Sequence, residues 1–244
     1  MKAIILCAGQ GRRLLPYTEQ TPKCLLELDE KYFIEWQIDT LLASGVEHIT
    51  AVVGYAADRI VEILGRRYPR DRVSTVFNPF YEVADNLASC WMAREHMQDE
   101  FLLINGDTLF ESKIIKTVLT RSEIQISVTT DCKSSYDEDD MKVIAQNDRL
   151  LRIGKSLPLE EVTGESIGIL YFRKLGAEIF SNKIHDMMHE QSALKQWYLS
   201  VIDSLAQETR ISTTSIEGMQ WTEVDFVRDY EQAQELIKHW PDRG

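Results

Sequence analysis

The chain has 244 residues, of which 44% are hydrophobic, 27% charged and 9% aromatic, so it can bury a core without metal or disulfide staples. Its 12 glycines and 6 prolines exclude a collagenous or low-complexity chain, and no apolar run approaches the roughly 18 residues of a membrane-spanning helix. Acidic residues outnumber basic ones 39 to 27, giving a formal charge of −12, which argues against a nucleic-acid surface because phosphate backbones need a basic field.

In chain order, Lys2–Cys7 carries a short apolar run, shorter than most secretory signal cores, and reads as a buried first strand. A long loop follows through roughly Lys23. Phe33–Ala43 has apolar residues at helical spacing and stops at Ser44-Gly45. His48–Val53 is the second strand, Ala56–Arg66 a helix, Ser74–Phe77 a strand and Asn86–His96 a helix. Phe101–Ile104 is a strand ending in Asn105-Gly106-Asp107. Such alternation predicts an α/β sheet, parallel in its first part, with helices on its faces. The second half is richer in strands: Ile124–Thr129, Met141–Ala145, Leu150–Gly154 and Ile167–Phe172. Lys174–Gln191 and Ala193–Ala206 then read as helices, and Val227–His239 as a final amphipathic helix. The acidic run Asp137–Asp140 reads as a solvated turn. With no Pro/Gly/Ser linker and no internal repeat, one domain is expected over residues 1–244. Residues 1–110 form its alternating half and 111–244 its strand-rich half. Cys7, Cys24, Cys90 and Cys132 are scattered without a CxxC, which predicts neither a disulfide framework nor a zinc site and fits a reducing cytoplasm.

The first strand runs into Ala8-Gly9-Gln10-Gly11-Arg12-Arg13-Leu14. Two glycines there let backbone N–H groups approach a phosphate. A dinucleotide-binding turn needs a third glycine at position 14 and a helix beyond it, but Leu14, Pro16 and Pro22 stand in the way. A P-loop needs Gly-Lys-Ser/Thr, which is absent. What remains is an extended loop bearing Arg12, Arg13 and Lys23, a local reversal of sign in an acidic chain. Such a loop suits a polyphosphate, with backbone N–H groups and fixed cations sharing its charge. The alternative is a surface loop with three exposed bases.

The spacing Ala-Gly-x-Gly-x-Arg-Leu-x-Pro-x-Thr from Ala8 through Thr18, followed by Thr21-Pro22-Lys23-Cys24-Leu25, resembles the signature of the nucleotidyltransferases that activate sugar phosphates and small phospho-alcohols. Cys7 departs from the alanine usual there. The resemblance covers most of the chain and implies a Rossmann-like (GT-A type) mixed sheet, mostly parallel and flanked by helices, with a strand-rich C-terminal portion. It also implies that Leu6, Ala8, Gly9 and Gly11 line the nucleotide, with the two glycines cradling its triphosphate. Arg13 would bind the β/γ end, Lys23 would grip near the reacting phosphate, and Arg12 stands at a variable position. Asp107, at the C-terminal end of a strand, would be a ligand of Mg²⁺; taken alone it reads as a turn residue or helix cap. Glu223-Val224-Asp225 matches the family's acidic pair before the last helix, about 7 Å apart on one strand face. Both carboxylates are candidates for the same metal, a solvated edge strand being the alternative.

Asn78 and the stretch Tyr81–Ser89, with Asp85, Asn86 and Ala88, fall where the family contacts base and acceptor; Asp85 or Asn86 equally suits a helix cap. This stretch is closer to the CTP-dependent cytidylyltransferases of phosphocholine and phosphonates than to the sugar enzymes. Lys142, Lys155 and Glu165 would bind the acceptor, although strand lysines are commonly just exposed. Trp91, Trp197 and Trp221 could cage a quaternary ammonium by cation–π attraction, but tryptophans at helical spacing are more often core. The reading is a Mg²⁺-dependent transfer of CMP from CTP, or another NTP, to a small anionic acceptor. No nucleic-acid or membrane partner is expected, and homo-oligomerisation is left open. The competing readings are a sugar-1-phosphate nucleotidylyltransferase, a catalytically silent nucleotide-binding regulator and, least favoured by Leu14, a nicotinamide oxidoreductase.

Overall fold

The first strand, β1 (Lys2–Cys7), lies third in the order of a mixed nine-stranded sheet and carries a fully buried Ala3-Ile4-Ile5 run. The computed structural model describes residues 1–121 and 124–240. Two short strands, β2 (Glu27–Leu28) and β3 (Lys31–Tyr32), form a hairpin before α1 (Phe33–Ala43). The Glu35 carboxylate accepts the Tyr32 N–H at 2.8 Å and so fixes the start of α1. Next come β4 (His48–Val53), α2 (Ala57–Arg67) and β5 (Val73–Phe77). After α3 (Asn86–Met92) and β6 (Phe101–Asn105), the short strand β7 (Thr108–Phe110) leads into α4 (Ser112–Arg121).

The second half begins with β8 (Ile126–Asp131), the hairpin of β9 (Lys142–Gln146) and β10 (Arg149–Gly154), and β11 (Gly164–Phe172). Helices α5 (Lys174–Met187) and α6 (Tyr198–Glu208) precede β12 (Ser212–Ser215), β13 (Trp221–Glu223) and α7 (Val227–Leu236). The sheet order is β5-β4-β1-β6-β11-β8-β12-β10-β9. It is parallel from β5 to β6 and largely antiparallel beyond, with β12 parallel to β8. It runs unbroken through both halves of the chain. Among the described residues, no helix is long and apolar enough to cross a membrane.

Two apolar layers cover the sheet, one containing Ile34, Ile38 and Leu41 of α1 and the other Phe180, Tyr198 and Ile202 of α5 and α6. A third cluster joins the ends of the chain. Leu14 and Leu26 of the first loop pack with Phe33, Trp36 and Leu109, and with Val224, Tyr230, Ala233 and Ile237 around α7. That cluster, together with the β7–β13 pair, carries the C-terminal acidic segment to the end of β1.

Candidate active site

The site is a cleft at the C-terminal ends of β1 and β6, where open parallel sheets place their ligands. Its lining includes Leu6, Gly9, Gly11, Arg13, Lys23, Asp85, Asn86, Asp107, Trp197 and Asp225. The loop leaving β1 is held from within. Thr18 is fully buried, and its hydroxyl donates to the Gly11 carbonyl at 2.7 Å. Leu14, also fully buried, closes a short turn through its N–H to the same carbonyl at 2.9 Å, and so anchors Arg13 over the cleft. Gly11 has φ of +77°, and a Cβ there would sit 2.9 Å from that of Lys23. Glycine is therefore needed both for the left-handed backbone and for the approach of the Lys23 turn. That turn, Lys23–Leu25, starts after Pro22 and drives Cys24 and Leu25 into the core, leaving Lys23 at the cleft.

Asp107 sits on a turn between β6 and β7 that is pinned by buried polar groups. The Gln37 amide donates to the carbonyls of Asn105 and Thr108, each at 2.8 Å, and the Tyr198 hydroxyl donates to Asn105 Oδ1 at 3.0 Å. Opposite it, β13 pairs Glu223 with Thr108, and the Val224 N–H donates to the Asp107 carbonyl at 3.0 Å. The Asp229 carboxylate accepts the N–H groups of Asp225 and Phe226 at 3.2 and 2.8 Å, turning the chain into α7.

These constraints bring five predicted residues together. Lys23 Nζ lies 3.1 Å from Asp107 Oδ2 and 2.7 Å from Asp225 Oδ1. Arg13 Nη2 lies 2.9 Å from Asp225 Oδ2, with its guanidinium 5.0 Å from the Phe226 ring centre. One carboxylate oxygen each from Asp107, Glu223 and Asp225 lies within 4.8 Å of the others. Burial disfavours a charged Lys23, but the surrounding Asp107, Asp225 and Glu223 outweigh it and raise its pKa, so the ammonium persists. Burial likewise opposes charge on Asp225, yet Lys23 and Arg13 prevail and hold its carboxyl below the usual carboxylate range. At Glu223, desolvation of the carboxyl where it faces the cluster, and then the charges of Asp107 and Asp225, push it well above that range. Asp107 Oδ1 is buried without a hydrogen-bond partner. An orphaned carboxylate oxygen beside two further carboxylates fits a hard divalent cation such as Mg²⁺, which takes oxygen ligands.

Other predicted residues lie elsewhere. Arg12 is exposed outside the cleft lining, its Nε 3.4 Å from Gln10 Oε1. Ala8 is buried, and its carbonyl accepts the Tyr55 N–H at 2.9 Å. Asn78 is 1% exposed and already paired: its amide donates to the Ser89 hydroxyl at 3.0 Å and accepts the Phe80 N–H at 2.9 Å. Ala88 is a buried position of α3. None of these four lines the cleft. Asp85 and Asn86 do reach the cleft. Asp85 stands at the cap position of α3 without a side-chain cap bond, and Asn86 Oδ1 accepts the Tyr198 N–H at 2.9 Å.

In the acceptor half, Lys142 points into the protein. Its ammonium is buried and donates to the carbonyls of Asp137, Asp140 and Lys155, which occupies all three of its hydrogens. Lys155 instead reaches the Trp197 ring, 4.8 Å from its centre, and Asp139 at 3.2 Å. Glu165 pairs with Lys133 at 2.9 Å; burial nevertheless pushes its carboxyl up to about 7, with the neighbouring Asp140 adding to the effect. The three tryptophans form no single cage. Trp91 lies under Arg94, Trp221 donates to Asp131 at 2.7 Å, and Trp197 lines the cleft.

Sequence reasoning missed Gln37, Asn105 and Tyr198, which pin the Asp107 turn, because an isolated amide or phenol carries no positional signal. It also read Asp139 as solvated, whereas its carboxylate lies 3.2 Å from Arg13 Nη1.

Residues 3–147 match the model of the MobA-like NTP transferase domain. The chain is 27% identical to a choline-phosphate cytidylyltransferase of Streptococcus pneumoniae, over 98% of this chain and 99% of that protein. It is 26% identical to a 2-aminoethylphosphonate cytidylyltransferase of Lancefieldella rimae, over 93% of this chain and 89% of that one. The solved structure of a CTP:phosphocholine cytidylyltransferase from Streptococcus pneumoniae superposes with a TM-score of 0.80 at 23% identity, covering 97% of this chain and 98% of the other, and so shares the fold.

Proposed function

Because the chain belongs to the MobA-like NTP transferase domain family, we propose that it transfers CMP from CTP to a small phosphorylated or phosphonate acceptor, of the phosphocholine or 2-aminoethylphosphonate kind, and releases pyrophosphate. The observation that carries this reading is the convergence of Arg13 and Lys23 with Asp107 and Asp225 in one cleft. A nucleotide-binding regulator has no use for that carboxylate set.

In the reaction, an acceptor phosphate or phosphonate oxygen forms a bond to the α-phosphorus of CTP. The bond from that phosphorus to the bridging oxygen breaks, and the electron pair leaves on pyrophosphate. The acceptor is already an anion at neutral pH, so no side chain has to remove a proton. The barrier lies in bringing two anions together in line. Lys23, held protonated by its acidic neighbours, shares the charge on the α-phosphate as the fifth ligand approaches. Arg13 presents its planar fork to the β/γ end and to the charge that accumulates on the leaving group. Backbone N–H groups around Gly9 and Gly11 cradle the triphosphate. Lys155, whose ammonium lies over the Trp197 ring at the border of the cleft, takes the acceptor's phosphoryl group. Asp107 and Asp225, with Glu223 beside them, would hold Mg²⁺, which when bound neutralises phosphate oxygens and favours pyrophosphate departure. The chemistry belongs in the cytoplasm, where CTP is supplied and where free thiols such as Cys7 and Cys24 persist.

The test is a matrix of four NTPs against phosphocholine, 2-aminoethylphosphonate and sugar-1-phosphates, read as pyrophosphate release. CTP with one of the first two acceptors is expected to dominate, and chelation by EDTA to abolish turnover. Dominance of a sugar-1-phosphate would establish the NDP-sugar alternative, and turnover persisting in excess EDTA would remove the metal from the reading.

A further inference from the structure

The loop of residues 132–141 joins β8 to β9 and is anchored at its base. Lys133 Nζ lies 2.6 Å from Asp140 and 2.9 Å from Glu165, while Lys142 holds the Asp137 and Asp140 carbonyls. From this base Asp139 reaches across to the opposite wall. Its Oδ2 lies 3.2 Å from Arg13 Nη1, and its Oδ1 lies 3.2 Å from Lys155 Nζ. The Arg13 fork is thus filled by two internal carboxylates, Asp225 on one nitrogen and Asp139 on the other. The Asp225 partner sits 19% exposed among fixed groups. Arg13 and Asp139 are 46% and 48% exposed, so their pair is the one a ligand dislodges at little cost.

We propose that Asp139 is an internal competitor for the polyphosphate: its carboxylate bridges Arg13 and Lys155 in the free protein, must be displaced by substrate, and thereby sets the affinity and charge selectivity of the cleft. The inference rests on the assignment of Arg13 to the β/γ end of CTP and of Lys155 to the acceptor. Two carboxylate oxygens stand where phosphate oxygens would bind. An anion that supplies strong acceptors at Arg13 replaces them, whereas a monophosphate has no group there and leaves the bridge closed. Because one carboxylate serves both cations, its displacement by CTP also frees Lys155.

The experiment is calorimetric titration of CTP, inorganic pyrophosphate and CMP, with Mg²⁺ at low ionic strength, into the wild type and into Asp139→Asn and Glu138→Gln proteins. Glu138 is an exposed acid of the same loop. Exposed pairs of this kind are each worth a few-fold, so Asp139→Asn is expected to tighten CTP and pyrophosphate roughly three- to tenfold. CMP is expected to stay within about twofold, as are all three ligands on Glu138→Gln. Asp139→Ser repeats the measurement with a smaller side chain, and thermal melts establish that each variant is folded. Unchanged or weaker CTP binding by Asp139→Asn would overturn the competitor role, as would equal tightening of CMP or an equal effect of Glu138→Gln. If the wild type turns CTP over while Asp139→Asn binds it no better, this inference alone fails. Wild-type protein that neither binds CTP nor turns it over would sink the functional reading together with it.

Discussion

Lys23 is one ammonium facing three carboxyl groups, and its chemistry follows from that imbalance. Its pKa is raised, so it stays charged throughout the neutral range and carries its proton into the transition state. Lys23→Ala is expected to lower kcat about 100-fold or more, on the scale of losing a charge stabiliser in a closed site. The fold should survive, because the turn is held by buried Cys24 and Leu25 and not by the ammonium. Pyrophosphate release at saturating CTP measures this, and a rate near wild type would remove Lys23 from the chemistry. Arg13, Lys23, Asp107 and Asp225 were legible in the sequence because each sits at a fixed offset within a motif. Asn78 and Lys142 turn inward instead, which their residue types do not announce. A polar side chain declares its donors and acceptors but not where they go, and both close internal hydrogen bonds.

At the scale of elements, the cleft depends on the ends of β1 and β6 lying almost in contact. The Gly106 N–H donates to the Leu6 carbonyl at 2.9 Å, and a Cβ on Gly106 would fall 2.4 Å from that oxygen and 2.9 Å from Cys7 Cβ. Backbone atoms cannot yield as the tip of a flexible side chain would. Gly106→Ala is therefore expected to cost about 1–3 kcal/mol, a fall of roughly 3–10 °C in Tm. It should also displace Asp107, so that Mg²⁺ no longer raises Tm as it is expected to do for the wild type. A thermal melt with and without Mg²⁺ reads both effects. Most elements were legible as such: β1, α1 and β4 follow the boundaries that periodicity predicts. Three were not. β7 spans only Thr108–Phe110, and the polar segment Ser212–Ser215 has no alternation, becoming β12 only because β8 and β10 flank it. α4, Ser112–Arg121, follows β7 so closely that its start carried no separate signal. Residues 193–197 were expected in α6, but a short turn over Gln191–Lys195 precedes it and leaves Trp197 at the cleft.

Across the whole molecule, the two halves are one construction. β6 pairs with β1 on one side and with β11 on the other, and the carboxylates that face Lys23 come from residues more than 80 and 200 positions away. A fragment ending at residue 147, the extent of the family match, would leave β6 with an open edge and would strip Leu14, Phe33 and Trp36 of their α7 partners. It is expected to aggregate or remain partly folded, and to bind no CTP. Gel filtration with circular dichroism checks this, and a monomeric, cooperatively melting fragment that binds CTP would refute it. The sequence alone determined the α/β class and singled out the glycine-bearing basic loop and the acidic residues that meet it in the cleft, since these depend on local periodicity and on residue types at short fixed spacings. Only the tertiary structure decided that Glu223 and Asp225 meet Asp107 beside Lys23, that Gln37 and Tyr198 pin that turn, and that Asp139 crosses the cleft to Arg13. Such pairings join positions far apart in the chain, and they are selected by the closure of the sheet and the packing of α7, which no local pattern encodes.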